Sequence, residues 1–142
     1  MHQHLHFDMA ISAASLRQQL LNSAMFQQRW PQAREIHCIN GTLNASNSRY
    51  VIKIIEGTQE KSVSLAFTDE GPLIREVWRG EDYFCQIDHA WSATGWSLDA
   101  SWQLRGFRNR FAKRRQQVLQ GSLASGFNRL AMKINSELAL EN

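Results

Sequence analysis

Residues 35–104 consist of short apolar runs separated by turn signals such as Asn40-Gly41 and Glu56-Gly57. Runs of this length, roughly ten residues apart, predict antiparallel strands that follow one another in a meander. The predicted strands are 35–38, 50–55, 62–67, 73–79, 83–88 and 95–104. A curved sheet of such strands cannot bury its concave face alone, so another element must cover it.

The stretch from Gly106 to about Leu138 contains no proline and predicts that covering element. Apolar residues recur in it at spacings of three, four and seven, which is typical of a long amphipathic helix. They are Phe107, Phe111, Val118, Leu119, Leu123, Phe127, Leu130 and Ile134. Gly121 and Gly126 each weaken a helix by about 1 kcal/mol relative to alanine, so we expect a packing or ligand reason for them.

The N-terminal part of the chain predicts a strand followed by short helices. Apolar and polar side chains alternate over residues 3–11, as in a strand with one buried face. Residues 13–30 change to helical spacing, and Asn22-Ser23 is a candidate break that would divide them into two helices. Trp30-Pro31 ends this segment because the residue before a proline avoids the helical region.

This order of elements resembles the helix-grip, START-like superfamily, which includes the birch-pollen allergen family and the polyketide cyclases. The resemblance covers nearly the whole chain and also rests on Ala-Ile-Ser-Ala-Ala-Ser at 10–15 and Gln-Gln-Arg-Trp-Pro at 27–31. It implies one α+β domain over residues 1–142, in which a curved seven-stranded antiparallel sheet wraps around a long C-terminal helix, with two short helices after strand 1.

The same resemblance implies a cavity between the sheet and the long helix. Members of the superfamily bind hydrophobic or amphipathic molecules there, including lipids, polyketides and hormones, and some catalyse cyclisation or dehydration. The superfamily has no single catalytic motif, so no catalytic residue is carried over to this chain. Function inferred from a fold in this way is an analogy.

Composition excludes several other classes of protein. Hydrophobic residues make up 43% of the 142, enough for a core without disulfides or metals. Cys38 and Cys85 lie in apolar stretches and predict structural thiols. Neither a signal peptide nor a membrane-spanning run is found, so we expect a cytoplasmic protein. P-loop, dinucleotide-binding, zinc-protease and serine-hydrolase motifs are absent, and we predict no cofactor and no metal.

Strand 73–79 carries one charge on each of its faces, Arg75 on one and Glu76 on the other. A buried charge is costly unless it is paired or bound. Arg75 turned inward would suit an anionic head group, and Glu76 turned inward would suit a general acid or base. An edge strand, a bulge or an internal ion pair is the alternative interpretation.

Tryptophans are concentrated in residues 78–102, where they suit either a ligand cavity or a plain core. The residues predicted to line a cavity are Trp78, Trp96, Leu98 and Trp102 on the sheet and Val118, Ser122 and Gly126 on the long helix. Arg75 or Glu76 would add polarity.

Two histidine patterns favour structural roles over chemistry. Asp88-His89 follows a predicted strand and is interpreted as part of a turn, although a carboxylate beside an imidazole can also do acid–base work. His2, His4 and His6 share one strand face and are interpreted as solvated, although three imidazoles at this spacing can bind a transition metal loosely.

The net charge of +3 is unevenly distributed, with −3 over residues 1–104 and +6 over residues 105–142. Six cations fall within residues 105–115. The candidate anion- or partner-binding residues are Arg108, Arg110, Lys113, Arg114 and Arg115. They flank an apolar stripe and would suit a phosphate backbone or an anionic membrane surface, whereas a solvated helix face is the alternative.

Three functions remain open from the sequence. Binding of a hydrophobic or amphipathic small molecule, without committed catalysis, is favoured. A polyketide cyclase- or dehydratase-like enzyme is the first alternative, using ionisable groups among Arg75, Glu76, Asp88 and His89. A nucleic-acid or protein interaction domain is the second, possible but not favoured. The ligand and the oligomeric state are left open.

Overall fold

The computed structural model describes residues 2–9, 11–43, 45, 47–105 and 109–141, with the backbone alone at Ser23, Asn109, Arg110 and 138–141. The predicted order of elements is confirmed. Their bounds are β1 His2–Phe7, α1 Ala13–Leu21, α2 Phe26–Arg29, β2 Ala33–Asn40, β3 Arg49–Glu56, β4 Gln59–Asp69, β5 Ile74–Arg79, β6 Tyr83–Ser92, β7 Gly95–Leu104 and α3 Asn109–Glu141. A 3₁₀ turn at Ser23–Met25 divides α1 from α2 at the predicted break.

The seven strands form one antiparallel sheet in the order β1-β7-β6-β5-β4-β3-β2. From β2 to β7 each strand pairs with the next along the chain, as the turn signals predict. β1 pairs with β7, so α1 and α2 connect the two edge strands. The predicted α+β helix-grip architecture is therefore confirmed.

Alternation along β7 determines which side chains enter the core. Trp96, Leu98, Ala100 and Trp102 are all buried, whereas Asp99 on the opposite face is exposed. The predicted bounds of this strand, 95–104, agree with the structure because its alternation is regular and turns flank it on both sides.

The interpretation of Asp88-His89 as a turn is wrong. β6 continues through both residues to Ser92, and His89 pairs with Leu98 across the β6–β7 hairpin. Asp88 therefore faces outward and His89 faces the core with Cys85 and Ile87. The strand extends this far because Ala93 and Thr94 are enough to close a tight hairpin.

α3 lies against the sheet along one stripe of its surface. The buried residues of this stripe are Leu119, Leu123, Phe127, Leu130 and Ile134. Phe127 packs edge-on against both Trp96 and His89. Val118 is 56% exposed and Phe111 60% exposed, which corrects their assignment to the buried stripe. Val118 lies about 100° around the helix from Leu119 and so points away from the sheet.

No helix in the described ranges is long and apolar enough to cross a membrane.

Gly126 allows α3 to touch the end of α2. A Cβ added at Gly126 would lie 2.5 Å from the carbonyl oxygen of Arg29. One turn further along, Arg129 donates hydrogen bonds to the carbonyl oxygens of Gln28 and Arg29, at 2.9 and 2.8 Å. The last carbonyls of α2, which lack helical partners, are thus satisfied by α3.

We expect Gly126→Ala to destabilise the protein, because the methyl group meets backbone that cannot move aside easily. Overpacking of this kind costs about 1–3 kcal/mol. Gly121→Ala is the matched control, since Gly121 is an exposed helical position with open space around it. That substitution should stabilise the protein by up to about 1 kcal/mol through helix propensity. Urea denaturation measures both, and shifts of the same sign would contradict this packing.

Candidate functional site

A cavity lies between the sheet and the middle of α3. Its volume is about 70 Å³. The floor consists of aliphatic side chains from β3, β4 and β6, namely Ile52, Ile54, Val63 and Ile87. Leu119 and Leu123 cover it from α3. The interior is therefore apolar and narrow, with its walls close together.

Aromatic side chains form the cavity's walls. Trp30 and Trp78 meet edge to face at one side, with ring centroids 4.1 Å apart. Tyr83 and Trp102 meet at another, with centroids 5.8 Å apart. Such large rings provide contact area with few rotatable bonds, which is typical of ligand sites and of cores alike.

Four polar side chains interrupt the apolar lining: Gln32, Glu56, Tyr83 and Ser122. Glu56 accepts a hydrogen bond of 3.1 Å from Arg115 Nη2, and the Nε of Arg115 donates to Asp82 at 2.7 Å. These ion pairs tie the first part of α3 to the turns after β3 and before β6. Burial, together with the nearby charge of Glu56, raises the pKa of Tyr83, so its hydroxyl stays neutral.

Glu76 and Arg29 form an ion pair one layer behind the cavity wall. Arg29 Nη2 donates to Glu76 Oε1 at 2.7 Å, and the two side chains are 1% and 0% exposed. Trp78 Nε1 donates to the same oxygen at 3.2 Å. Glu76 Oε2 is hydrogen-bonded to Nε2 of His89, which is also fully buried. Each carboxylate oxygen therefore has a partner, as a buried charge requires.

The hydrogen bond from Trp96 fixes the tautomer of His89. Trp96 Nε1 lies 3.1 Å from His89 Nδ1. An indole N–H can only donate, so Nδ1 must carry no proton. The proton of the imidazole then resides on Nε2 and points at Glu76. His89 is neutral in this arrangement.

The guanidinium of Arg29 is held between aromatic rings. Its Cζ lies 3.8 Å from the ring centroid of Trp30 and 4.1 Å from that of Phe127. Cation–π attraction of this kind strengthens when the pair is removed from water. Within the described part of the chain, Nε and Nη1 of Arg29 have no hydrogen-bond partner.

The electrostatics of the buried groups follow from this geometry. Burial opposes the ionisation of Glu76, but the positive charge of Arg29 and the hydrogen bonds from His89 and Arg29 hold the pKa of Glu76 below its usual 4.5. Burial lowers the pKa of Arg29, and Glu76 partly offsets this. Burial also raises the pKa of Cys85, a free thiol in the cavity lining, so it does not form a nucleophilic thiolate.

Of the residues predicted to line a cavity, Trp78, Trp102 and Ser122 do so. Trp96 and Leu98 are buried on the same sheet face but belong to the core, where Trp96 packs against Phe7. Gly126 contacts the backbone of Arg29 instead. Val118 lies on the exposed side of α3, so its prediction as a lining residue is wrong. The periodicity of the helix turns it away from the sheet.

The two charges of β5 point to opposite faces, as its alternation requires. Arg75 is on the outer face, where its Nε donates to Asp88 Oδ1 at 2.8 Å. The prediction that Arg75 turns inward to bind an anionic head group is therefore wrong. Glu76 is inward, but its charge is neutralised by Arg29 and its pKa is lowered, not raised as a general acid requires. Glu76 therefore belongs to an internal ion pair, which is the alternative interpretation of this strand given above.

The basic segment before and within α3 is divided among different surroundings. Lys113 and Arg114 are exposed, whereas Arg115 is occupied by Asp82 and Glu56. The prediction that Arg115 binds an external anion or partner is therefore wrong, because its guanidinium is already paired with two carboxylates. Arg108 lies outside the described residues, as does the side chain of Arg110.

The N-terminal histidines line the outer face of β1. His4 Nδ1 is 2.7 Å from Asp99 Oδ1, and His6 Nδ1 is 2.7 Å from the hydroxyl of Ser97. Both histidines have large exposed fractions, which agrees with their interpretation as solvated.

Sequence reasoning missed Arg29, and it named His89 as a candidate group but placed it in a turn. A signal for His89 existed, because it shares the inward parity of Cys85 and Ile87 once β6 is extended past residue 88. Arg29 lies in a polar run before Trp30-Pro31, and nothing in that run distinguishes a buried arginine from a solvated one.

Solved structures match this arrangement over nearly the whole chain. Ara h 8.0201 has a TM-score of 0.68 and 13% identity, with 96% of this chain and 98% of that chain covered. A START superfamily protein from Mycobacterium smegmatis has a TM-score of 0.65 and 10% identity, covering 94% and 98%. Norcoclaurine synthase from Thalictrum flavum, in complex with dopamine and hydroxybenzaldehyde, has a TM-score of 0.61 and 13% identity, covering 96% and 87%. This chain has the START-like, helix-grip fold.

No family model and no curated protein matches the sequence. The helix-grip fold of this chain is therefore recognised by comparing backbones. At sequence identities of 10–13%, these matches establish the fold and nothing about function. Its cavity lies where the resemblance predicted one, between the sheet and the long helix.

The ion pair predicts a specific loss of stability in acid. A carboxyl group whose pKa is lowered on folding stabilises the protein above its unfolded pKa, and this stability is lost as pH falls through the folded value. For Glu76 this loss begins as the pH falls through its unfolded pKa of about 4.5 and continues at lower pH. Denaturant unfolding at a series of pH values measures it.

The control is the double variant Arg29→Met/Glu76→Gln, which removes both charges and leaves an acceptor for His89. Replacing a buried pair together often costs little, whereas removing one partner costs about 3–5 kcal/mol. The double variant should lose less stability than wild type over the same pH window. Parallel curves for the two proteins would contradict the role given to Glu76.

Proposed function

We propose that this protein binds a hydrophobic or amphipathic small molecule in the cavity between the sheet and α3. The observation that carries the proposal is the lining: aliphatic floor, aromatic walls and a few polar groups. Small-molecule sites are commonly concave and apolar, with a small number of polar groups that orient the ligand. An apolar molecule gains free energy there by leaving water and by displacing the few water molecules that such a space can hold.

The distribution of polarity favours an amphipathic ligand. Glu56 and Ser122 are half-buried polar residues of the lining, and Arg115 neutralises Glu56. A polar end of the ligand can remain beside them while its apolar part contacts Trp78 and Trp102. The complex of norcoclaurine synthase with dopamine and hydroxybenzaldehyde supports the proposal by analogy of fold.

The two alternatives have less support. A cyclase- or dehydratase-like reaction needs an acid–base pair that reaches the ligand, whereas Glu76 is hydrogen-bonded to Arg29, Trp78 and His89 and does not line the cavity. A nucleic-acid surface on α3 retains Lys113 and Arg114 as exposed cations, but Arg115 is already paired with acids.

Filling the cavity should weaken ligand binding. Ser122→Leu places a branched side chain against the lining, and Ser125→Leu places the same group on the exposed side of α3 as a control. The probe is N-phenyl-1-naphthylamine, a neutral dye whose fluorescence rises in apolar sites. We expect Ser122→Leu to weaken dye binding roughly 10- to 100-fold, from about 1–3 kcal/mol of overpacking, with no change in Ser125→Leu. Equal affinities in the two variants would contradict the proposal.

A further inference from the structure

The buried guanidinium of Arg29 uses only part of its donor capacity. It carries five N–H donors, and its one hydrogen bond in the described structure runs from Nη2 to Glu76. Nε and Nη1 are buried without an acceptor among the described residues. The rings of Trp30 and Phe127 cover the faces of the guanidinium, which stabilises its charge but provides no acceptor at its edge. An unsatisfied buried donor is unfavourable and calls for an explanation.

These donors lie one aromatic layer from the cavity. Trp30 and Trp78 both line the cavity, and the Cζ of Arg29 is 3.8 and 5.9 Å from the centroids of their rings. Trp30 is only half-buried and belongs to the link between α2 and β2, not to the sheet. Arg29 itself does not line the cavity, so a ligand reaches the edge of its guanidinium only when the ring of Trp30 moves aside.

The charges around Arg29 decide which chemical group fits there. The carboxylate of Glu76 already neutralises the guanidinium at 2.7 Å, and His89 is neutral because Trp96 donates to its Nδ1. A ligand carboxylate would approach Glu76 as well as Arg29 and would have to give up its hydration. A neutral oxygen accepts from Arg29 without either cost.

We propose that the inner end of the cavity is a subsite for a neutral oxygen acceptor, a ketone, ester or alcohol oxygen, which accepts hydrogen bonds from Nε or Nη1 of Arg29. The inference rests on the proposed ligand-binding function and specifies its ligand class: an apolar molecule with an uncharged oxygen at its buried end. Arg29 then has two roles. Its Nη2 stabilises the fold by pairing with Glu76, and its Nε or Nη1 donates to the oxygen of the ligand.

Three naphthalene probes of similar shape test the subsite: 2-acetylnaphthalene, 2-ethylnaphthalene and 2-naphthoate. Their affinities for wild type and for Arg29→Met/Glu76→Gln are measured by quenching of tryptophan fluorescence. We expect the ratio of ketone to hydrocarbon affinity to be about tenfold higher in wild type, as one hydrogen bond to a charged donor predicts. 2-Naphthoate should bind wild type less tightly than the ketone.

A second measurement needs no variant. In protein labelled with ¹⁵N-arginine, the Nε–H resonance of Arg29 should shift on addition of 2-acetylnaphthalene and not on addition of 2-ethylnaphthalene. If both probes bind but the affinity ratio and the resonance are unaffected, the subsite is wrong and the cavity function stands. Tighter, Arg29-dependent binding of 2-naphthoate would overturn the neutral acceptor in favour of an anion. If no probe binds either protein, the proposed function fails with the subsite.

Discussion

The ion pair between Arg29 and Glu76 joins a four-residue helix to the middle of a seven-stranded sheet. α2 is too short to be stable alone, so its position depends on what its side chains and last carbonyls contact. Glu76 accepts from Arg29, Trp78 and His89, while Gly126 and Arg129 of α3 contact the backbone at the end of α2. The sheet, α2 and α3 therefore meet around one buried ion pair.

This meeting point explains how a narrow cavity persists beside a dense core. α3 is held at one place by Gly126 and Arg129 against α2, and at another by Arg115 against Asp82 and Glu56. The stretch between these anchors carries Leu119, Ser122 and Leu123 over the sheet. Because Arg129 and Arg115 make directional hydrogen bonds at these anchors, this stretch need not collapse onto the floor to keep the helix in place.

Periodicity was sufficient to predict the element order, the meander and the bounds of β7, because alternation and helical spacing record which face is buried. It also placed Trp78, Trp102 and Ser122 at the cavity. It could not find Arg29, whose buried charge depends on Glu76, 47 residues away, a separation that no local pattern contains. The assignment of Val118 to the cavity was wrong because the spacing of apolar residues does not distinguish one beside the buried stripe from one within it.

The central claim is that the space under α3 holds a small molecule. Native mass spectrometry of freshly purified, nuclease-treated protein tests it directly, before and after incubation with a mixture of apolar and amphipathic compounds. We expect an adduct on the 16.3 kDa chain with one molecule per chain, lost on denaturation. The bare mass of the chain, or of a clean multiple of it, in both samples would contradict the proposed function.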